Sequence, residues 1–170
     1  MDSAGFGGLG TPGLLDQPWP HQGNGTPGPV NGPAADNPPI MAPAGEVHCS
    51  LPDWVKFLTD QLRGGEGKPA LLPLSYYHAA QGKISDCGSE GKYYGYGWIV
   101  AGDGDTKFVE HNGSNGTNYA FCHLEPGKDV DVGFAVCTNM GPDGPAGQAV
   151  NEALGALQKF WDGRLQPARN

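Results

Sequence analysis

The residues best suited to chemistry stand together at His111-Asn112-Gly113-Ser114-Asn115-Gly116. The segment lies where one strand pattern ends and the next begins. Such a position exposes backbone N–H groups and short polar side chains at a sheet edge. One reading makes it the wall of a catalytic site. His111 then serves as acid, base or electrostatic group, and a backbone N–H stabilises an oxyanion, because a fixed donor acts where charge develops. A second reading makes it two Asn-Gly hairpin turns beside a surface histidine, since Asn-Gly accepts the positive φ that such turns need. A third builds a new hydrolase site from His111 with local Ser or Asp residues.

Other motifs are weaker. Ser89-Glu90-Gly91-Lys92 has the Ser-x-x-Lys spacing. That pair works only when one helical turn sets the amine beside the hydroxyl. Gly88 and Gly91 oppose a helix, so the match reads as a coincidence in a loop. Asp103, Asp105 and Glu110 lack the spacing of a calcium loop and read as a polar turn. His21, His48, His78 and His123 show neither HxxxH nor HExxH, so no metal and no cofactor is expected. Asn24-Gly25-Thr26, Asn112-Gly113-Ser114 and Asn115-Gly116-Thr117 match glycosylation sequons, but turn chemistry explains all three. Cys49, Cys87, Cys122 and Cys137 form no CxxC. They read as free thiols in small apolar positions, with disulfides left open by the even count.

The elements that must carry these residues follow from periodicity. Ser50-Leu51-Pro52-Asp53 starts a helix, with Ser50 as cap, Pro52 in the first turn and Asp53 completing a capping box. Leu51, Trp54, Val55, Leu58 and Leu62 recur at helical spacing, and Gly64-Gly65 ends the run. A second, short helix spans Leu74–Gln81. Then the period becomes two. Strands are expected at Tyr93–Val100, Lys107–His111, Thr117–Leu124 and Val130–Thr138. Asp103-Gly104 turns the first hairpin and Pro126-Gly127-Lys128-Asp129 the last. Ala146–Trp161 is a closing helix with Val150, Leu154, Leu157, Phe160 and Trp161 on one stripe. Trp54 and Trp161 read as core, and Trp98 as core or pocket lining with core favoured. The pattern is α+β: an antiparallel sheet of about four strands covered by a C-terminal helix.

Composition divides the chain. It has 170 residues with 29 Gly and 16 Pro. Residues 1–45 hold 10 Gly and 9 Pro, which leaves 19 and 7 for residues 46–170. The expectation is a Gly/Pro-rich irregular arm over 1–45 and a folded body over 46–170. Phe6, Leu14, Leu15, Trp19 and Ile40 give the arm too much apolar mass for a free linker, so it should lie on a surface. The net charge is −8 and the pI about 4.9. No basic stripe exists for nucleic acid, and an anionic membrane surface is disfavoured. No apolar run reaches the length of a membrane-spanning helix. Positive charge and an apolar run are both absent after Met1, so no signal peptide is expected to begin there.

The order of segments resembles the C-terminal half of the serine β-lactamase and penicillin-binding-protein-like hydrolases, above all the class C-related branch with its esterases and D-aminopeptidases. Met1-Asp2-Ser3-Ala4-Gly5-Phe6-Gly7 is similar to the internal "GM-x-x-TGF" stretch, and Gln17-Pro18-Trp19-Pro20-His21 to "QPWGH". Pro43-Ala44-Gly45-Glu46-Val47-His48-Cys49-Ser50 through Asp53-Trp54-Val55-Lys56-Phe57 resembles "PAGGVHCS-x-x-DWAKF". Tyr94-Gly95-Tyr96-Gly97-Trp98 resembles "YGLGW", and Val136-Cys137-Thr138-Asn139 the last strand, "vltN". His111-Asn112-Gly113 falls at the third motif, Lys/His-Ser/Thr-Gly. The likeness runs almost end to end.

The resemblance implies a partial β-lactamase/transpeptidase-like fold and hydrolysis of an ester, amide or β-lactam through an acyl-enzyme. His111 takes the place of the Lys or His facing the substrate. Asn112 departs from the usual Ser or Thr. Gly113 lets substrate approach, and the Ser114 backbone N–H is one oxyanion donor. The Ser-x-x-Lys nucleophile and the Tyr-x-Asn motif have no counterpart, since in the family both precede the stretch matched by Met1. The expectation is a truncated hydrolase domain, inactive alone. The alternative is a non-catalytic half-domain that binds or self-assembles. The partner is then its own missing N-terminal half, or a second copy in a homodimer through the open sheet edge. Relatives are often periplasmic or secreted, and the compartment is left unassigned.

Overall fold

The structure, a computed structural model, describes residues 1–126 and 130–165. Two very short strands, β1 (Gly5–Phe6) and β2 (Val47–His48), pair with each other, with the one-turn helix α1 (Ala42–Gly45) between them in sequence. Helices α2 (Leu51–Gly65) and α3 (Leu74–Ala80) follow. Then come β3 (Ser85–Asp86), β4 (Lys92–Tyr94), β5 (Ile99–Ala101), β6 (Phe108–Ser114), β7 (Tyr119–Glu125) and β8 (Val132–Thr138). Helix α4 (Pro145–Leu165) closes the chain. The six strands form one sheet in the order β3-β4-β5-β6-β7-β8, so each strand neighbours the next in sequence. The architecture is α+β with an antiparallel sheet and a C-terminal helix, as expected.

The sheet holds six strands where about four were expected. The pattern Tyr93–Val100 is not one strand. It breaks between Tyr94 and Ile99 into β4 and β5, which pair antiparallel with Tyr93 opposite Val100. The cause is Gly95-Tyr96-Gly97. Gly97 sits at φ +85°, a region that favours glycine. A Cβ on Gly95 would fall on the Ala80 carbonyl oxygen, which accepts the Tyr96 N–H at 3.0 Å. The expected turn at Asp103-Gly104 forms as a short 3-10 helix, Gly104–Thr106, between β5 and β6. The turn expected over 126–129 lies largely outside the described residues.

The described chain falls into two compact units. One contains Met1–Gly5, His48–Asn112 and Cys122–Gly133. Its interior is made by Leu58, Tyr77, Ala80, Trp98, Val100, Val109 and Leu124, all nearly inaccessible. Trp98 stacks on Phe57 at 6.3 Å between ring centroids, so it is core rather than pocket lining. The α2 stripe is only partly buried. Leu58 is inside, but Leu51 and Val55 are exposed and Trp54 is half-buried. Gln61, which is not part of that stripe, is buried as well. Helices α2 and α3 pack closely because Gly64 lies against the Tyr77 ring, where a Cβ would collide. The left-handed residue that follows α2 is Gly67, at φ +73°, rather than Gly64 or Gly65.

The start of α2 differs from a capping box. Ser50 Oγ accepts the Asp53 N–H, as a cap should. The Asp53 carboxylate does not reach back. It accepts the Ser3 N–H at 2.9 Å, the Ser3 hydroxyl at 2.7 Å and the Lys56 ammonium at 2.6 Å. The Ser50 N–H donates instead to Ser3 Oγ at 2.9 Å. These bonds hold the Asp53 carboxyl well below the usual carboxylate range, Lys56 first and the two Ser3 donors next.

The other unit contains Phe6–Val47, Gly113–Phe121 and the described residues from Phe134 onward. Its irregular segment is fastened by specific bonds rather than by regular structure. The His21 N–H donates to the Asn139 carbonyl at 2.8 Å, and Asn139 Nδ2 donates to the Trp19 carbonyl at 2.6 Å. Gly141 N–H returns to the His21 carbonyl at 2.9 Å. Ala35, Phe134, Ala146 and Val150 are buried here. Leu15 and Ile40 are almost fully exposed, and Trp161 is half-buried rather than core.

Candidate functional site

β6 is longer than its pattern suggested. It continues through His111, Asn112 and Gly113 to Ser114, so these residues lie on a strand and not in a loop. The reading as two Asn-Gly turns therefore fails at Asn112-Gly113. It holds at Asn115-Gly116. There Gly116 has φ +87°, and Asn115 Oδ1 accepts the N–H groups of Thr117 and Asn118 at 3.1 and 2.9 Å. The Ser114 hydroxyl belongs to this turn as well. It donates to the Asn118 carbonyl at 2.6 Å and accepts the Gly116 N–H at 2.9 Å.

His111 is half-buried, and its Nε2 lies 2.9 Å from the Tyr94 hydroxyl. The two rings meet edge to face with centroids 5.9 Å apart. Tyr94 sits on β4, two strands away, so the sheet itself sets the pair. The His111 carbonyl accepts the Cys122 thiol at 3.6 Å. Burial pushes that thiol up to about 11. A His111 relay to a local serine is not formed, because the Ser114 proton is given to Asn118.

Gly113 is unusual for what it does not need. Its φ is not in the left-handed region. A Cβ built there would meet no described heavy atom within 4 Å. Most glycines that lack positive φ here avoid a collision, as Gly5 does with the His48 ring. Neither reason applies to Gly113.

Sequence reading missed a second cluster. Lys92 Nζ donates to Glu110 Oε1 at 2.7 Å. Glu110 Oε2 lies 3.1 Å from His123 Nδ1, and Glu125 Oε1 lies 2.8 Å from His123 Nε2. Both ring nitrogens face carboxylates, and both can donate only in the imidazolium. Burial draws the His123 pKa down, but the Glu110 and Glu125 carboxylates more than reverse that, and the net shift is upward. Glu110 is lowered, by His123 first and against burial, with Lys92 helping. The available signal was His123 and Glu125 two apart on one strand, which puts both on one face.

The remaining candidates have structural roles. Ser89–Lys92 forms the hairpin turn between β3 and β4, with the Lys92 N–H on the Ser89 carbonyl and glycines 88 and 91 at positive φ. The Lys92 amine is taken by Glu110. Asp103 caps the 3-10 helix after β5 and pairs with Lys83 at 2.8 Å. All four cysteines are free. Among the described residues, no group of three His, Cys, Asp or Glu side chains could hold a metal ion. No described helix is long and apolar enough to cross a membrane.

No family model matches the sequence. No curated protein matches it either. Among solved structures, the fold is similar to that of the octameric penicillin-binding protein homologue from Pyrococcus abyssi, with a TM-score of 0.61 and 21% identity. The superposition covers 94% of this chain and 34% of that one, so the chain spans about a third of that protein's length. The α+β body is thus similar in fold to one part of a penicillin-binding protein homologue.

Proposed function

We propose that the end of β6, His111-Asn112-Gly113-Ser114, is one wall of an acyl-transfer site of the serine β-lactamase and penicillin-binding-protein type, close to the class C-related branch. The observation that carries this is Gly113, a glycine in a strand that neither φ nor packing requires. Open space over a strand backbone suits a substrate laid against it. His111 supplies the polar face toward the acyl group, and the Ser114 N–H one oxyanion donor. Asn112 replaces the usual hydroxyl with an amide. The substrate class is an ester, amide or β-lactam.

The nucleophile is not among these residues. The sole Ser-x-x-Lys match, Ser89–Lys92, is a hairpin turn whose lysine is paired with Glu110. This chain therefore forms no acyl-enzyme by itself and provides a wall to a nucleophile carried on another segment. The test has two arms. A fluorescent penicillin or fluorophosphonate should leave the 170-residue chain unlabelled, and stoichiometric serine labelling sinks the reading. An NMR titration with benzylpenicillin should move the amides of residues 111–114, and Gly113→Val should abolish those shifts while leaving the fold intact. Shifts confined to other residues also overturn it.

A second reading, a non-catalytic assembly module, is favoured by one observation. β8 ends the sheet order, and its seven residues Val132–Thr138 carry no charge and no proline. Such an edge is a template for another strand, here that of a second copy. Light scattering should then show a concentration-dependent dimer that Val136→Lys abolishes, and a strict monomer rejects this reading.

A further inference from the structure

The chain contains four Asn-Gly pairs, at 24–25, 31–32, 112–113 and 115–116. Asn-Gly is the dipeptide in which a backbone nitrogen most readily attacks the preceding side-chain amide, because glycine offers no steric hindrance. In an unfolded chain the four would compete on similar terms. The fold separates them by what each glycine nitrogen faces.

In the first pair, the Gly25 N–H donates to the Gln22 carbonyl at 2.8 Å, and Asn24 Oδ1 is held by the Thr26 N–H at 2.9 Å. In the last, the Gly116 N–H donates to Ser114 Oγ at 2.9 Å. Asn115 is fixed by Thr117 and Asn118 on its oxygen and by Asp36 on its nitrogen, the latter at 3.1 Å. Asn112 and Gly113 lie inside β6, whose backbone is extended. Asn31-Gly32 is different. Both residues are exposed, Gly32 has φ +86°, and its nitrogen lies 2.6 Å from the Oδ1 of Asn31 itself. The attacking nitrogen is already held beside the side-chain amide whose Cγ it would attack, so part of the ordering cost has been met by the fold.

We propose that Asn31 is a site of spontaneous deamidation and isoaspartate formation. The Gly32 nitrogen gives its proton to hydroxide and forms a bond to Asn31 Cγ. The Cγ–Nδ2 bond breaks, and ammonia leaves with a proton taken from water. Water then opens the cyclic imide at one of its two carbonyls, giving aspartate or isoaspartate. The net change consumes one water and releases one ammonia, with no redox step.

The site matters to its surroundings. Gly10 N–H donates to the Val30 carbonyl at 3.0 Å, and Ala35 N–H to the Gly32 carbonyl at 3.0 Å. Gly8 packs so closely that an added Cβ would lie 2.9 Å from Val30 O and 3.2 Å from Asn31 Cα. Isoaspartate lengthens the main chain by one methylene at that point. The Gly10 and Ala35 amides should then exchange faster.

The experiment uses the unmodified chain. It is held folded at mildly alkaline pH and 37 °C, and a parallel sample is held in urea. Peptide mass spectrometry with isoaspartate detection follows all four pairs. In the folded sample Asn31 should convert roughly tenfold faster than the other three, as pre-positioned reactants do. In urea that lead should collapse. The proposal is overturned if another pair leads in the folded chain, if Asn31 keeps its amide, or if its lead persists undiminished in urea.

Discussion

The Tyr94 hydroxyl stands 2.9 Å from His111 Nε2, across two strand spacings of one sheet. This contact fixes which ring nitrogen of His111 is free to act. If the phenol donates, Nε2 is the acceptor and the proton resides on Nδ1. Tyr94→Phe should therefore change the tautomer of His111, read from its ring ¹⁵N shifts by NMR. The pair is partly exposed, so stability should fall by only about 0.5–1.5 kcal/mol. Unchanged ring shifts in the variant would show that Tyr94 does not orient the histidine.

The His123 network gives stability a pH window. The folded-state pKa of His123 is raised above its ordinary value of 6.5. Its contribution is thus complete below that value and is lost as pH rises through the folded one. Glu110 has the opposite sign. It is lowered from 4.5, so its contribution is complete above 4.5 and is lost as pH falls through the folded value. Urea unfolding from pH 3 to 9 should show a plateau bounded by these two limbs. Lys92 faces the same Glu110 carboxylate, and Glu125 the same His123 ring. His123→Gln should remove the basic limb and cost about 1–3 kcal/mol at its centre, because the two carboxylates lose charged donors. A basic limb that survives the substitution would place its origin elsewhere.

Local chemistry made the helices and strands legible, and long-range chemistry hid the site. Ser50-Leu51-Pro52-Asp53 marked the start of α2 because capping involves neighbours. The same four residues did not show that Asp53 is bonded by Ser3, fifty positions earlier. Alternating aromatics from Tyr93 to Val100 suggested one strand, and only the packing of Gly95 on Ala80 shows why it must turn. His111 was singled out by its composition and setting. Its partner Tyr94 could not be, since the pairing depends on strand order. Glu110 and His123 were visible only as isolated charges until β6 and β7 brought them together.

Two glycines that look alike in sequence should respond oppositely to alanine. A Cβ at Gly64 would fall within the Tyr77 ring, which is 1% exposed and tied through its hydroxyl to Asp60 at 2.6 Å. Overpacking there forces α2 and α3 apart, and Gly64→Ala should cost about 1–3 kcal/mol. Gly113→Ala meets open space and should stay within about 0.5 kcal/mol of the parent. Equilibrium urea denaturation of both variants checks the contrast. Equal effects would mean that the open space at Gly113 is filled in solution, and would remove the observation on which the acyl-site reading stands.

The four thiols should separate cleanly by reactivity. The thiolate is the nucleophile, so rate follows both exposure and pKa. Cys87 and Cys137 are exposed and should label first with iodoacetamide at pH 8. Cys49 is half-buried, and its pKa is raised by burial first and by the Asp53 charge second, so it should be slower. Cys122 is buried and pushed up to about 11, with its proton directed at the His111 carbonyl. It should resist labelling until the chain unfolds. Mass mapping of partly labelled protein gives the order directly. Early modification of Cys122 would show that β6 and β7 open around His111 in the folded protein, and that the strand end proposed as a substrate wall is not held rigid.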